Sequence, residues 1–115
     1  MEVIKALGEI ECKDLRSLVF AMGHLMAADF AYRQGKVGTA TDKVERAREA
    51  LWNSARKAII GRADMEAGGM YYEGFKKLRD DILGGAEKTD IQEDVIILNR
   101  RIFKDLILNA KECIG

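Results

Sequence analysis

The chain has a single histidine, His24, in the run Ser17-Leu-Val-Phe-Ala-Met-Gly-His24-Leu-Met-Ala-Ala. A lone histidine on an apolar helix is far more often a hydrogen-bonded core or interface residue than a ligand or a general base. Asp29 interrupts the same apolar stretch and is followed four residues later by Arg33. On a helix that spacing makes an ordinary ion pair, worth about 0.3 kcal/mol. The alternative reading puts His24, Asp29 and Arg33 around a small pocket, and these three are the candidate ligand-binding residues. No cysteine or second histidine stands at ligand spacing from His24, so zinc is unsupported. Nucleophilic catalysis of the Ser-His or Cys-His kind needs partners that the sequence neither shows nor excludes, and nothing favours it.

Carboxylates at Glu66, Glu73, Asp80, Asp81, Glu93 and Asp94 suggest the metal cages of helical bundles. Those cages need a Glu-x-x-His pair on each of two helices, and no such pair occurs here. The glycines of Ala67-Gly-Gly-Met70-Tyr-Tyr-Glu-Gly74 follow no strand and lack the lysine and hydroxyl of a phosphate loop. The expectation is therefore no metal, no cofactor and no catalytic residue. Basic doublets at Arg56-Lys57, Lys76-Lys77 and Arg100-Arg101 have acidic neighbours within a turn or two, which favours a solvated face. If the chain touches RNA, the residues are Trp52, by stacking, with Arg56, Arg100 and Arg101. Strong nucleic-acid binding is not expected, because 19 basic residues balance 19 acidic ones and leave no attracting field.

These side chains are positioned by helices. The chain has no proline, and its 48% hydrophobic and 33% charged residues are the balance of a globular protein. Its 115 residues suffice for one domain with one core. Glycines at 35 and 38, 61, 68 and 69, and 84 and 85 punctuate runs of helical period, where left-handed C-terminal caps are wanted.

Four helices follow, over about 14–34, 41–60, 70–83 and 90–113. The first rests on Leu15, Leu18, Val19, Met22, Leu25, Met26 and Phe30, which recur at steps of three and four. Asp42 with Glu45, and Thr89 with Gln92, read as capping boxes opening the second and fourth. The second has an inner face of Val44, Ala47, Leu51, Ala55, Ala58 and Ile59, and the third one of Tyr71, Phe75, Leu78 and Ile82. A short additional helical segment is expected within residues 2–10. Short connections make neighbours antiparallel, so the predicted fold is an all-α, single-domain, up-down four-helix bundle.

The last helix, roughly 35 Å long at 1.5 Å per residue, carries two apolar stripes. One is Ile91, Val95, Leu98, Ile102 and Leu106; the other is Ile96, Phe103, Ile107, Ala110 and Ile114. That breadth exceeds the need of a helix lying on one bundle. Phe20, Phe30, Ile96, Phe103 and Ile107 are the candidate interface, and a homodimer or another protein partner is expected. Zero net charge offers little colloidal repulsion against it.

No signal-peptide order opens the chain, and the least polar run, Ser17 to Ala28, is about 12 residues where a membrane span needs about 20. A cytoplasmic location without a membrane is expected, with Cys12 and Cys113 as reduced thiols. Few Asn and Gln beside Lys, Arg and Glu suggest a thermophilic source.

The segment Tyr32-Arg-Gln-Gly35-Lys-Val-Gly-Thr-Ala40-Thr-Asp-Lys43-Val-Glu-Arg-Ala47, followed by Ala50, Ala55 and Ala58, resembles a HEPN-type helical hairpin. It is similar in particular to the archaeal paralogous HEPN-like proteins, and a tetratricopeptide hairpin shares its Tyr32, Gly35, Ala40 and Ala47 spacing. A single copy speaks against a repeat array, which needs about three units to bury a core. The HEPN resemblance implies a four-helix bundle, a tendency to dimerise, and partners among nucleotidyltransferases or nucleic-acid machinery. HEPN ribonucleases pair an Arg with a His on a late helix; Arg100 and Arg101 have no following His, so that activity does not carry over. The expectation is a non-catalytic interaction or oligomerisation module.

Overall fold

The apolar periodicity produces four α-helices: α1 (Arg16–Arg33), α2 (Val37–Arg56), α3 (Met70–Leu83) and α4 (Lys88–Ile114), with one turn of 3-10 helix at Arg62–Met65 between α2 and α3. This computed structural model describes residues 15–114, and side chains from Leu15 to Lys111. Among the described residues there is no strand, so the all-helical class holds. The segment expected at residues 2–10, Cys12 and the Cys113 side chain lie outside the described residues.

α1 and α2 form a tightly packed pair. Leu18, Ala21, Leu25 and Ala28 of α1 are buried with Ala40, Val44, Ala47, Leu51 and Ala55 of α2. Alanines on both sides let two backbones approach closely, while each buried leucine contributes about 2 kcal/mol of apolar transfer. α4 supplies Ile91, Val95, Leu98 and Ile102 to the same core, and α3 supplies Tyr71, Phe75, Leu78 and Ile82. α3 and α4 run antiparallel: Tyr71 meets Asp105, Gly74 lies beside Leu98 and Lys77 meets Asp94. Along α1 and α4, Met22 is level with Asn99, and the Tyr32 hydroxyl donates to the Ala86 carbonyl.

α1, α2 and α3 end in the same way. In each, the residue after the C-cap has positive φ and returns its N–H to the carbonyl three positions before it, and the next N–H reaches back five. Gly35 (φ 76°) bonds Tyr32 and Lys36 bonds Ala31; Gly85 (φ 72°) bonds Ile82 and Ala86 bonds Asp81. At the end of α2 the residue in this place is Ala58 (φ 60°), with Ala58 bonding Ala55 and Ile59 bonding Ser54. Gly61, expected to cap α2, is instead extended at φ −71°.

The boundaries of α2 therefore differ at both ends from the expected 41–60. Its first turn begins at Val37, since Gly35 closes α1 tightly and the buried Ala40 already needs helical phase. The Thr41 hydroxyl donates to the Val37 carbonyl at 3.0 Å, and Asp42 accepts from Arg46 at 2.9 Å inside the helix. No Asp42–Glu45 capping box opens α2. α4 begins at Lys88, so Thr89 is inside its first turn and is not its cap.

Candidate functional site

α1 is apolar on both sides. Leu18, Ala21, Leu25, Ala28 and Tyr32 face the core. Val19, Met26 and Phe30, which share the three-and-four recurrence with the buried residues, point outward. Both faces satisfy the same three-and-four spacing, and the close alanine contact with α2 decides which is inside. Val19, Phe20, Met26 and Phe30 are 53–63% exposed. On α4, Ile96, Phe103 and Ile107 are also exposed, so all five residues expected at an interface reach the surface.

Between these helices runs a groove of about 610 Å³. Met22, Met26 and Phe30 form its α1 wall, and Val95, Ile96 and Phe103 its α4 wall. Its volume and apolar lining are those of a site for a small molecule or for side chains of a partner. Polar groups stand at its edge. Asp29 and Arg33 make the expected ion pair at 3.0 Å, and both line the groove. Asn99 donates to the Met22 carbonyl at 3.4 Å, a long bond, while its Oδ1 is buried without a donor. Arg100 lines the groove and has no carboxylate partner among the described residues.

His24 does not join Asp29 and Arg33. At about 100° per residue it lies roughly 140° and 180° around α1 from them, and it is half-buried beside α2. Burial lowers its pKa, and the nearby Lys43 and Arg46 lower it further against the pull of Asp42. The candidate triad is thus split: two members are in the groove and the third is on the hairpin face.

The residues considered for RNA contact do not share a face either. The Arg56 guanidinium lies 6.0 Å from the Trp52 ring and is bonded to Asn53 and Glu49 on α2. Arg100 faces the groove, whereas Arg101 lies 3.6 Å from Asp105 near α3. Asn99, Gln92 and Met22, part of the groove, were not among the site residues expected from sequence; Asn99 sits three residues after Ile96 and four before Phe103, on the edge of the exposed stripe, which was the available signal.

Two polar clusters tie α3 to α4 away from the groove. Tyr71, fully buried, donates its hydroxyl to Asp105, and burial with that carboxylate raises its pKa well above the usual phenol value. Lys77 bridges Asp94 at 2.8 Å and Asp81 at 2.9 Å. Among the described residues no group of three or more His, Cys, Asp or Glu side chains is placed to hold a metal ion. No helix there is long and apolar enough to cross a membrane. No protein-family model, no curated protein and no solved structure matches this chain.

Proposed function

We propose that the chain is a non-catalytic helical association module, HEPN-like in its hairpin, that works in the cytoplasm and dimerises through the surface shared by α1 and α4. The supporting fold is an up-and-down four-helix bundle, in keeping with the antiparallel pairing of α3 with α4 and the level pairing of Met22 with Asn99. The observation that carries the reading is the outward side of α1: Val19, Phe20, Met26 and Phe30 stand in water with no element of the described chain over them. The exposed parts of Phe20, Phe30 and Phe103 amount to about 350 Å² at about 200 Å² per aromatic side chain. Met26, Val19, Ile96 and Ile107 extend this beyond the roughly 300–600 Å² that the largest patch on a monomer reaches. Sedimentation velocity over a concentration series tests it. The expected result is a species above the 12.9 kDa protomer, returned to protomer mass by Phe30→Glu with Phe103→Glu; a protomer at all concentrations rejects self-association.

A second reading has its own support in the groove, whose apolar walls and Asp29–Arg33 edge suit a small amphiphilic ligand. A thermal-shift screen of such compounds tests it, with Met22→Trp, which fills the groove, expected to abolish any shift.

A further inference from the structure

Two glycines lie beyond the first turn of a helix, Gly23 in α1 and Gly74 in α3. Glycine there costs helix stability relative to alanine, so each needs a reason. For Gly74 the reason is internal: a Cβ would stand 2.6 Å from the Leu98 Cδ2. For Gly23 the protomer supplies none, because a Cβ there would meet nothing within 4 Å. Gly23 is exposed, and it sits in the middle of the outward stripe formed by Val19, Met26 and Phe30. A helix position that stays free of side chain, on an apolar strip pointing at solvent, is where a second backbone comes close.

We propose that Gly23 marks the crossing point of α1 with α1 of a second copy of this chain, the pair being related by a two-fold axis near that residue. This rests on the self-association reading and goes further by naming the contact. Charge and area both favour a second copy. From Val19 to Phe30 the outward stripe is Val19, Gly23, Met26, Ala27 and Phe30, without a charge, and Asp29 beside it is neutralised by Arg33. Within that strip neither an acidic nor a basic partner meets a charge, the nearest unpaired cations among the described residues being Arg16 one turn before it and Arg100 across the groove, whereas an identical strip meets it without repulsion. The exposed apolar side chains of α1 and α4 together approach the roughly 800 Å² per partner that a stable complex buries. A two-fold contact also needs projecting groups and a recess on the same surface. Met26 and Phe30 stand exposed on the rim of the groove that they line.

The test uses the full chain and three substitutions. Gly23→Leu is expected to weaken dimerisation at least 100-fold and Gly23→Ala several-fold, while circular dichroism and the melting temperature of the protomer stay equal or rise. Gly23→Cys, in a background with Cys12→Ser and Cys113→Ser, is expected to give an intermolecular disulfide under mild oxidation, because residues at a crossing point bring their Cα atoms within about 7 Å. Thr39→Cys in the same background is the control that stays uncrosslinked. A dimer that Gly23→Leu leaves intact and Gly23→Cys does not crosslink overturns the crossing and leaves self-association standing. A wild-type chain that is monomeric throughout overturns both.

Discussion

Ala58 and Gly35 hold the same position in the same helix-ending motif, at φ 60° and 76°. A left-handed conformation costs a residue with a Cβ about 1–2 kcal/mol, and glycine almost nothing. Ala58 is exposed, so no packing compensates it. Ala58→Gly is expected to stabilise the chain by about 1 kcal/mol after the extra freedom of the unfolded glycine is subtracted, and Gly35→Ala to destabilise it by a similar amount. Urea denaturation of the two variants checks this; a loss of stability in Ala58→Gly would contradict it.

Gly74 permits the close contact between α3 and α4. Gly74→Ala is expected to cost up to about 2 kcal/mol, the overpacking penalty of about 1–3 kcal/mol against Leu98 less about 1 kcal/mol of helix stability gained with alanine. The paired variant Gly74→Ala with Leu98→Val should recover part of the loss, and chemical denaturation of the single and double variants measures that recovery.

Tyr71 is buried and bonded to Asp105, and both burial and the carboxylate favour its neutral form. In the unfolded chain the phenol ionises near 10. The raised value in the folded state therefore adds stability that is complete below pH 10 and is lost as pH rises above it. In an alkaline absorbance titration one of the three tyrosines should ionise only on unfolding. Tyr71→Phe should remove that late step and cost about 2 kcal/mol at neutral pH, since the hydrogen bond is to a charged group.

Asp94 is 6% exposed. Burial, joined by the neighbouring Asp81 carboxylate and opposed by Lys77, raises its pKa from 3.8 to about 6. Between those values the folded chain holds more protons than the unfolded one. The contribution of Asp94 is therefore full near pH 4 and falls away as pH rises through about 6. Asp81, held low by Asp94 and Lys77, acts in the opposite sense as pH falls through its own lowered value. Asp94→Asn keeps the shape and removes the titration. It is expected to be more stable than the wild type at pH 8 by about 1 kcal/mol, and equal to it near pH 4. Parallel denaturation at the two pH values decides; a variant weaker at pH 8 would show that the Lys77 ion pair outweighs the burial of the charge.

The inner faces of α3 and α4 were legible in sequence, because Tyr71, Phe75, Leu78 and Ile82, and Ile91, Val95, Leu98 and Ile102, each follow one period on one buried side of their helix. α1 was legible as a helix and ambiguous as a surface: its apolar residues surround it, and only packing against the α2 alanines separates Leu25 from Met26. Local rules missed the ends of α2 for two reasons. Asp42 found Arg46 one turn on, and an alanine took a place that composition assigns to glycine. In the groove, the Asp29–Arg33 pair needed only i,i+4 spacing. Separating His24 from it needed the angular position of each residue on α1. Asn99 and Asp94 depend on which helix lies opposite, which is tertiary information.

The two-sided apolarity of α1 has a consequence during synthesis. Of the four helices α1 leaves the ribosome first, and its leucine–alanine side is covered as soon as α2 follows. The other side waits for something no later segment of the described chain provides, since α4 packs along its Met22 edge and leaves Val19, Gly23 and Phe30 uncovered. A protomer that finds no mate therefore displays the kind of strip that chaperones and proteases read as unfolded. On the association reading, the cellular level of this protein is governed by how quickly copies meet, and variants that weaken the meeting are lost to turnover and do not accumulate as soluble monomer.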